Sequence, residues 1–364
     1  MARSLFRSRV VIVLLVATFI VCLGWLGFAP RQGDSAAQSG QLPGAPGIAR
    51  AIEVKERHES YLMAHPDVVG TAAGLTEDGQ PAVKVYTKRP GVTGIPGSLE
   101  GTAVVVEATG EFFALQPSKN GPPSDKGQFG SAAISSTSRL SRPVPIGVST
   151  GNAGECSAGT IGARVKSGGT VYALSNNHVY ALENNANNVP DGSKVLQPGR
   201  YDTGCIYDHE NVIGTLSDFE PIVFSTTFNN TIDAAIALSD TDKLGNATPS
   251  NGYGTPNSIT VSASVGQKVQ KYGRTSQLTK GQVTGINATV NVGYSSGTAR
   301  FINQIVVGSR KAFIKAGDSG SLLVTDPGKN PVGLLYAGTS SGKTAIANRI
   351  NLVLDEFGVT IDGE

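Results

Sequence analysis

The chain has 364 residues, enough for two modest domains on the usual prior of about 100 to 200 residues each. Its 30 Lys+Arg against 28 Asp+Glu leave a formal net charge of +2, which excludes the basic excess of a nucleic-acid binder and names no charged partner. With 46 glycines and only 16% charged residues, short strands joined by tight turns suit the composition better than long surface helices, so a mainly β fold is expected.

In chain order, the first signal is an almost wholly apolar run at 10–28, preceded by Arg3, Arg7 and Arg9. Cationic residues before such a run mark an export signal. The run exceeds the apolar core of about 7 to 15 residues in a cleaved signal peptide and approaches the roughly 20 that span a bilayer. Residues 1–29 are therefore expected to be a signal peptide or a membrane anchor, with the uncleaved anchor preferred, and everything after them extracytoplasmic. Cys22 lies inside the run, so only Cys156 and Cys205 remain in the exported part, where one bridge can form and would enclose His178.

Residues 30–50 are rich in Gly, Ser, Ala, Gln and Pro and read as a linker. Residues 51–64 have helical spacing with many charges, and strand-like runs follow at 68–75, 82–87 and 102–110, so 51–115 is expected to be a small α/β module. A second linker is expected over 116–142, where Ser, Gly, Pro and Lys return. The main domain should then occupy 143–364. Short strands are expected there at 159–165, 170–175, 212–216, 222–225, 233–238, 258–261, 268–272, 281–289, 302–307, 321–324, 332–336 and 344–348, with a terminal helix near 352–357. So many strands over that length imply a sandwich or barrels.

A serine hydroxyl is a poor nucleophile at neutral pH, so acyl transfer needs an imidazole to take its proton and a carboxylate to orient that imidazole. The histidines are His58, His65, His178 and His209, and all precede Ser319. The order serine, acid, histidine of α/β-hydrolases is thereby excluded for this serine. His178 ends an apolar stretch, in Leu174-Ser175-Asn176-Asn177-His178, at a strand end suited to a base. Asp233 is followed by Ala234-Ala235-Ile236-Ala237 and reads as a buried acid, with Asp202 and Asp218 as competitors in the same interval. Ser319 sits in Gly317-Asp318-Ser319-Gly320-Ser321, where glycines let the backbone bend and aim consecutive N–H groups at a developing oxyanion. His209 reads as a solvated loop residue, and His58 and His65 fit no zinc-binding spacing, so neither metal nor cofactor is expected.

On these residues the segment from about 143 to 359 resembles the trypsin-like, chymotrypsin-fold serine peptidases of the bacterial kind. The nucleophile motif departs from the family's pattern at Ser321, where a second glycine is usual. Asn176-Asn177-His178-Val179 resembles the histidine motif of the high-temperature-requirement branch, and Asp233-Ala234-Ala235-Ile236-Ala237 the acid motif. The resemblance implies a double antiparallel β-barrel, with His178 and Asp233 on the first barrel and Ser319 on the second. It implies an endopeptidase acting on proteins or peptides through an acyl-enzyme, with the Gly317 and Ser319 N–H groups as oxyanion hole. Activity should then fall as the pH drops and the base takes a proton.

Tyr272-Gly273-Arg274-Thr275-Ser276 is similar to a segment of α-lytic-type peptidases, which implies that Arg274 pairs with Asp318 and that no fresh N-terminus is needed to do so. The strand through Tyr336, Ala337 and Gly338 resembles the one that pairs with substrate backbone and walls the primary specificity pocket. Phe313, six residues before Ser319, would floor that pocket and favour small or apolar side chains. The 51–115 module is open between a pro-region that assists folding or covers the cleft and a plain spacer or partner-binding domain. The rival to the enzyme is a non-catalytic surface module that keeps the peptidase fold for binding or assembly.

Overall fold

A computed structural model describes residues 47–117 and 135–364, all within one compact unit, Leu42–Glu364. The predicted apolar segment at 10–28 lies outside the described residues, among which no helix is long and apolar enough to cross a membrane.

The chain is mainly β, built from two curled sheets that resemble a double barrel. The eight-stranded sheet carries the first barrel, in the order Thr360–Ile361, Ala163–Ser167, Thr170–Ser175, Ala235–Ser239, Val212–Phe219, Lys194–Leu196, Ser149–Asn152 and Gly159–Thr160. In the second barrel a ring of antiparallel strands closes on itself. It runs from Lys268–Gly273 through Gln277–Tyr294, Gly297–Gly308, Thr344–Arg349, Pro331–Gly338 and Leu322–Thr325 back to Lys268–Gly273. Pro331–Gly338 is buried along its whole length, as its run of Val, Leu and Tyr dictates. Ala163, Leu174 and Ile236 of the first sheet share a core with Leu322 and Leu334 of the second and with Ile350 and Val353 of the terminal helix Ile350–Phe357. That shared core fixes the seam between the barrels.

Residues 48–114 do not stand apart from this frame. Helix Ile48–Met63 buries Ile48, Ala51, Val54 and Leu62, a stripe at helical spacing. Strand Val68–Leu75 pairs on one side with Pro81–Thr87 and on the other with Gln277–Tyr294, setting Gly70 opposite Val290 and Gly74 opposite Gly285. The second barrel's sheet thus runs on into this region, with Thr102–Ala108 parallel to Pro81–Thr87 beyond it. The buried Lys55 fastens the helix to the same long strand: its ammonium pairs with Glu59 at 2.5 Å and donates to Asn287 Oδ1 at 3.0 Å and Thr289 Oγ1 at 3.1 Å.

Two expected strands do not form. At 222–225 the backbone N–H groups of Ile222 and Val223 go to the side-chain carbonyls of Asn184 and Asn230, at 2.9 and 2.8 Å, so no ladder is needed. At 258–261 only single bonds form, from Ser258 N–H to Glu364 O and from Val261 N–H to Pro331 O. The helix starts at Ile48 instead of residue 51, capped by Gly47.

Candidate active site

His178 lies just past strand Thr170–Ser175, inside the one-turn helix Asn177–Tyr180. Asp233 lies two residues before strand Ala235–Ser239, whose Ala235 pairs with Ser175, so the ladder itself brings the two side chains together. Both are fully buried, and His178 Nδ1 stands 2.6 Å from Asp233 Oδ2. The backbone N–H of His178 reaches Asp233 Oδ1 at 3.3 Å. Of the competing acids, Asp202 is taken by Arg274 and Ser149, and Asp218 is exposed.

Three groups brace this pair, of which Tyr294 and Asn348 were not singled out in the sequence. The Tyr294 hydroxyl donates to Asp233 Oδ2 at 3.0 Å, and its ring meets the imidazole edge-on with centroids 5.9 Å apart. Burial pushes the Tyr294 phenol well above its ordinary value, and the Asp233 charge pushes it further, so it stays a donor. Asn348 holds the Asp233 backbone from the second barrel, accepting its N–H at 3.1 Å and donating to its carbonyl at 2.9 Å. Asn176 donates to the same carbonyl at 2.7 Å. Tyr294 ends the long strand Gln277–Tyr294, and the hairpin tip beyond it is gripped by the Glu183 carboxylate, which accepts from Ser295 N–H and Oγ and from Ser296 N–H at 2.8 to 3.2 Å. Removing the hydroxyl in Tyr294→Phe deletes one hydrogen bond to a buried carboxylate, so the unfolding free energy should fall by about 1.5 to 3 kcal/mol, which urea denaturation would check.

Ser319 follows Gly317, whose φ of +94° is a backbone conformation open to glycine; a Cβ there would stand 2.6 Å from Arg274 Nη1. The Ser319 hydroxyl donates to Tyr336 O at 3.3 Å and to Leu115 O at 3.4 Å, while His178 Nε2 has no hydrogen-bond partner among the described residues. One short stretch of chain joins these groups. The Leu115 carbonyl also accepts from Gly317 N–H at 2.9 Å, and the next residue, Gln116, donates from its side chain to His178 O at 2.9 Å.

The aspartate before the serine is held differently from the expectation. Asp318 is fully buried against Lys271 Nζ at 3.2 Å, with further bonds from the Thr275, Ser276 and Lys315 N–H groups at 2.8 to 3.0 Å and from the Ser276 hydroxyl. Arg274 instead makes a two-point contact with Asp202, its Nε 2.8 Å from Oδ2, and covers the Tyr201 ring. Gly273 explains the exchange. A Cβ on it would lie 2.6 Å from Asp318 Oδ1, so the face of strand Lys268–Gly273 that carries Lys271 points at Asp318, and Arg274 is directed the other way.

Tyr336, Ala337 and Gly338 lie at the end of strand Pro331–Gly338, and Ala337 and Gly338 pair antiparallel with Ala114 and Phe113 of strand Phe112–Ala114. Phe313 is buried with Ile314 in a cluster against which Leu115 packs. Cys156 and Cys205 form a disulfide with Cα atoms 5.0 Å apart.

The family described as the Nal1 C-terminal domain matches residues 228–361, a stretch that holds Asp233 and Ser319 and leaves out His178. No curated protein matches the chain. Among solved structures, the chain aligns with a glutamic acid specific serine protease at 23% identity and a TM-score of 0.43, covering 60% of this chain and 100% of that one. Protease A of Thermobifida fusca aligns at 19% identity and 0.43, covering 61% and 99%. A Nocardiopsis protease aligns at 18% and 0.40, covering 60% and 98%.

Proposed function

We propose that the chain is a serine endopeptidase working outside the cytoplasm, with Ser319 as nucleophile, His178 as general base and Asp233 as the acid that orients it. The observation that carries this reading is the Leu115 carbonyl oxygen, which accepts from both the Gly317 N–H, at 2.9 Å, and the Ser319 hydroxyl, at 3.4 Å. A carbonyl oxygen thus meets both the proposed nucleophile and a proposed oxyanion donor. In the proposed reaction the Ser319 hydroxyl gives up its bonds to the carbonyls and turns to His178 Nε2, which has no hydrogen-bond partner among the described residues. Asp233 fixes the proton on Nδ1, leaving Nε2 to take the hydroxyl proton as Oγ attacks and to return it to the leaving amine. The Gly317 and Ser319 N–H groups hold the oxyanion. Lys271 and the N–H groups around Asp318 hold the loop that aims them. The Cys156–Cys205 bridge supports an oxidising compartment.

The rival is a binding module that keeps this geometry without chemistry, favoured by the absence, among the described residues, of a hydrogen bond between the Ser319 hydroxyl and His178 Nε2. A fluorophosphonate probe discriminates, because it reacts only with an activated serine. It should label Ser319 in the folded protein and fail on Ser319→Ala and on His178→Ala. Absence of label on folded protein whose cleft has been emptied by Leu115→Asp would overturn the enzyme in favour of the binding module.

A further inference from the structure

Strand Phe112–Ala114 is out of place as scaffolding. It is three residues long, it ends the N-terminal region, and it is clamped on both edges: parallel to Gln277–Tyr294 through Val292 and Gly293, antiparallel to Pro331–Gly338 through Ala337 and Gly338. Continuing the antiparallel register past Ala114 sets Leu115 opposite Tyr336, where its carbonyl meets Gly317 N–H and the Ser319 hydroxyl. An extended segment that adds itself to a sheet edge, with one carbonyl in the oxyanion site, is how a peptide substrate binds.

The side chain of Leu115 agrees with the backbone. It packs against the buried cluster of Phe313 and Ile314, and a Cβ added to Gly338 would stand 3.2 Å from Leu115 Cδ1 and 2.7 Å from Ile314 Cγ2. The absence of that atom leaves room for a branched aliphatic chain. On the far side, Gln116 is anchored by its side-chain amide to the His178 backbone carbonyl at 2.9 Å, so the Leu115–Gln116 stretch runs from the Ser319 loop to the segment that carries the proposed base.

We propose that Ser319 cleaves the Leu115–Gln116 bond of its own chain, and that the pocket holding Leu115 gives the peptidase a preference for leucine on the acyl side of the bond it cuts. The proposal rests on the peptidase reading given above. Ser319 Oγ bonds to the Leu115 carbonyl carbon as its proton passes to His178 Nε2, and the oxygen becomes an oxyanion held at Gly317 and Ser319. The carbon–nitrogen bond then breaks, His178 gives the proton to the Gln116 nitrogen, and that amine leaves. Water next attacks the Leu115 ester, loses a proton to His178, and releases a Leu115 carboxylate and the free serine. After the cut, residues up to 115 stay hydrogen-bonded through Val68–Leu75 and Phe112–Ala114, so the product remains in the cleft as an inhibitor until it is displaced.

The test follows the purified full chain over time by denaturing electrophoresis and peptide mass spectrometry. Wild type should yield a piece ending at Leu115 and a piece beginning at Gln116, at a rate unchanged by tenfold dilution. Ser319→Ala should stay whole. Leu115→Asp, which puts a charge into an apolar pocket, should also stay whole while still taking the fluorophosphonate label, and the conservative Leu115→Met should restore the cut. On short chromogenic peptides the processed enzyme should favour leucine over lysine before the scissile bond by about 100-fold in kcat/KM. An intact wild-type chain, or one cut at another bond, alongside a labelled Leu115→Asp protein overturns the self-cleavage and leaves the peptidase standing. An intact chain with no label on either protein overturns both.

Discussion

Asp233→Asn should lower kcat on a peptide substrate by about 10⁴-fold while leaving KM and the folded state nearly intact. Every polar group that faces this carboxylate is a donor: His178 Nδ1 at 2.6 Å, the Tyr294 hydroxyl at 3.0 Å and the His178 backbone N–H at 3.3 Å. An asparagine must present its NH₂ to one side of that set. If the NH₂ faces Nδ1, the ring is driven to the tautomer with its proton on Nε2, and the atom that must take the Ser319 proton is blocked. If it faces the backbone N–H of His178, the amide oxygen still accepts from Nδ1, but donor meets donor at that N–H and the carboxylate charge that would stabilise an imidazolium is gone. Steady-state kinetics beside thermal melting would separate the two consequences, and a loss below tenfold would mean that His178 is not oriented through Asp233. The same substitution should also slow the proposed cut at Leu115, since both proposed reactions would use the His178 imidazole.

Much of the site was legible because its signals are local. The glycine-flanked serine, the histidine that closes an apolar strand and the carboxylate that opens one are each readable within a few residues, and strands Val68–Leu75 and Thr170–Ser175 occupy the expected bounds. What escaped was set by pairing between distant segments. Tyr294 lies beyond the strand expected at 281–289, and only the approach of the strand's end to His178 and Asp233 aims its hydroxyl. Asn348 is the polar residue within the buried stretch of strand Thr344–Arg349, reaching Asp233 across the seam. Phe112-Phe113-Ala114-Leu115 carries no more signal than any short apolar run, and its role as an extra strand in the cleft comes wholly from the edges it joins. For Asp318, the resemblance of 272–276 to α-lytic-type peptidases pointed to Arg274, and the cation that meets the aspartate is Lys271. Strand alternation decides between Lys271 and Arg274, and that face was not fixed until the strand's partners were known.

Lys271→Met should therefore be far more damaging to the oxyanion site than Arg274→Met, the reverse of what the resemblance implied. Lys271 and Asp318 are both without exposed side-chain surface, and removing the ammonium leaves a carboxylate buried with only hydroxyl and N–H partners. Breaking one half of such a pair costs about 3 to 5 kcal/mol, against little for replacing both halves together, so Lys271→Met should unfold at markedly lower denaturant than a Lys271→Met, Asp318→Leu double variant. Because Asp318 sits between Gly317 and Ser319, a shifted carboxylate also turns their N–H groups, and kcat in Lys271→Met should drop by about 100-fold or more. Acid sensitivity gives an independent reading. Burial alone would raise the Asp318 carboxyl, yet Lys271, the Ser276 hydroxyl and the surrounding N–H groups hold it below its ordinary 3.8. A depressed carboxyl contributes stability that is complete above its unfolded value and is lost as the pH falls through the folded one, so the wild type should keep this contribution down to below pH 3.8. Without the ammonium the folded carboxyl rises, and Lys271→Met should begin to lose stability at a higher pH than the wild type in urea melts run from pH 6 downward. Identical acid profiles for the two proteins would show that Lys271 does not hold Asp318 ionised.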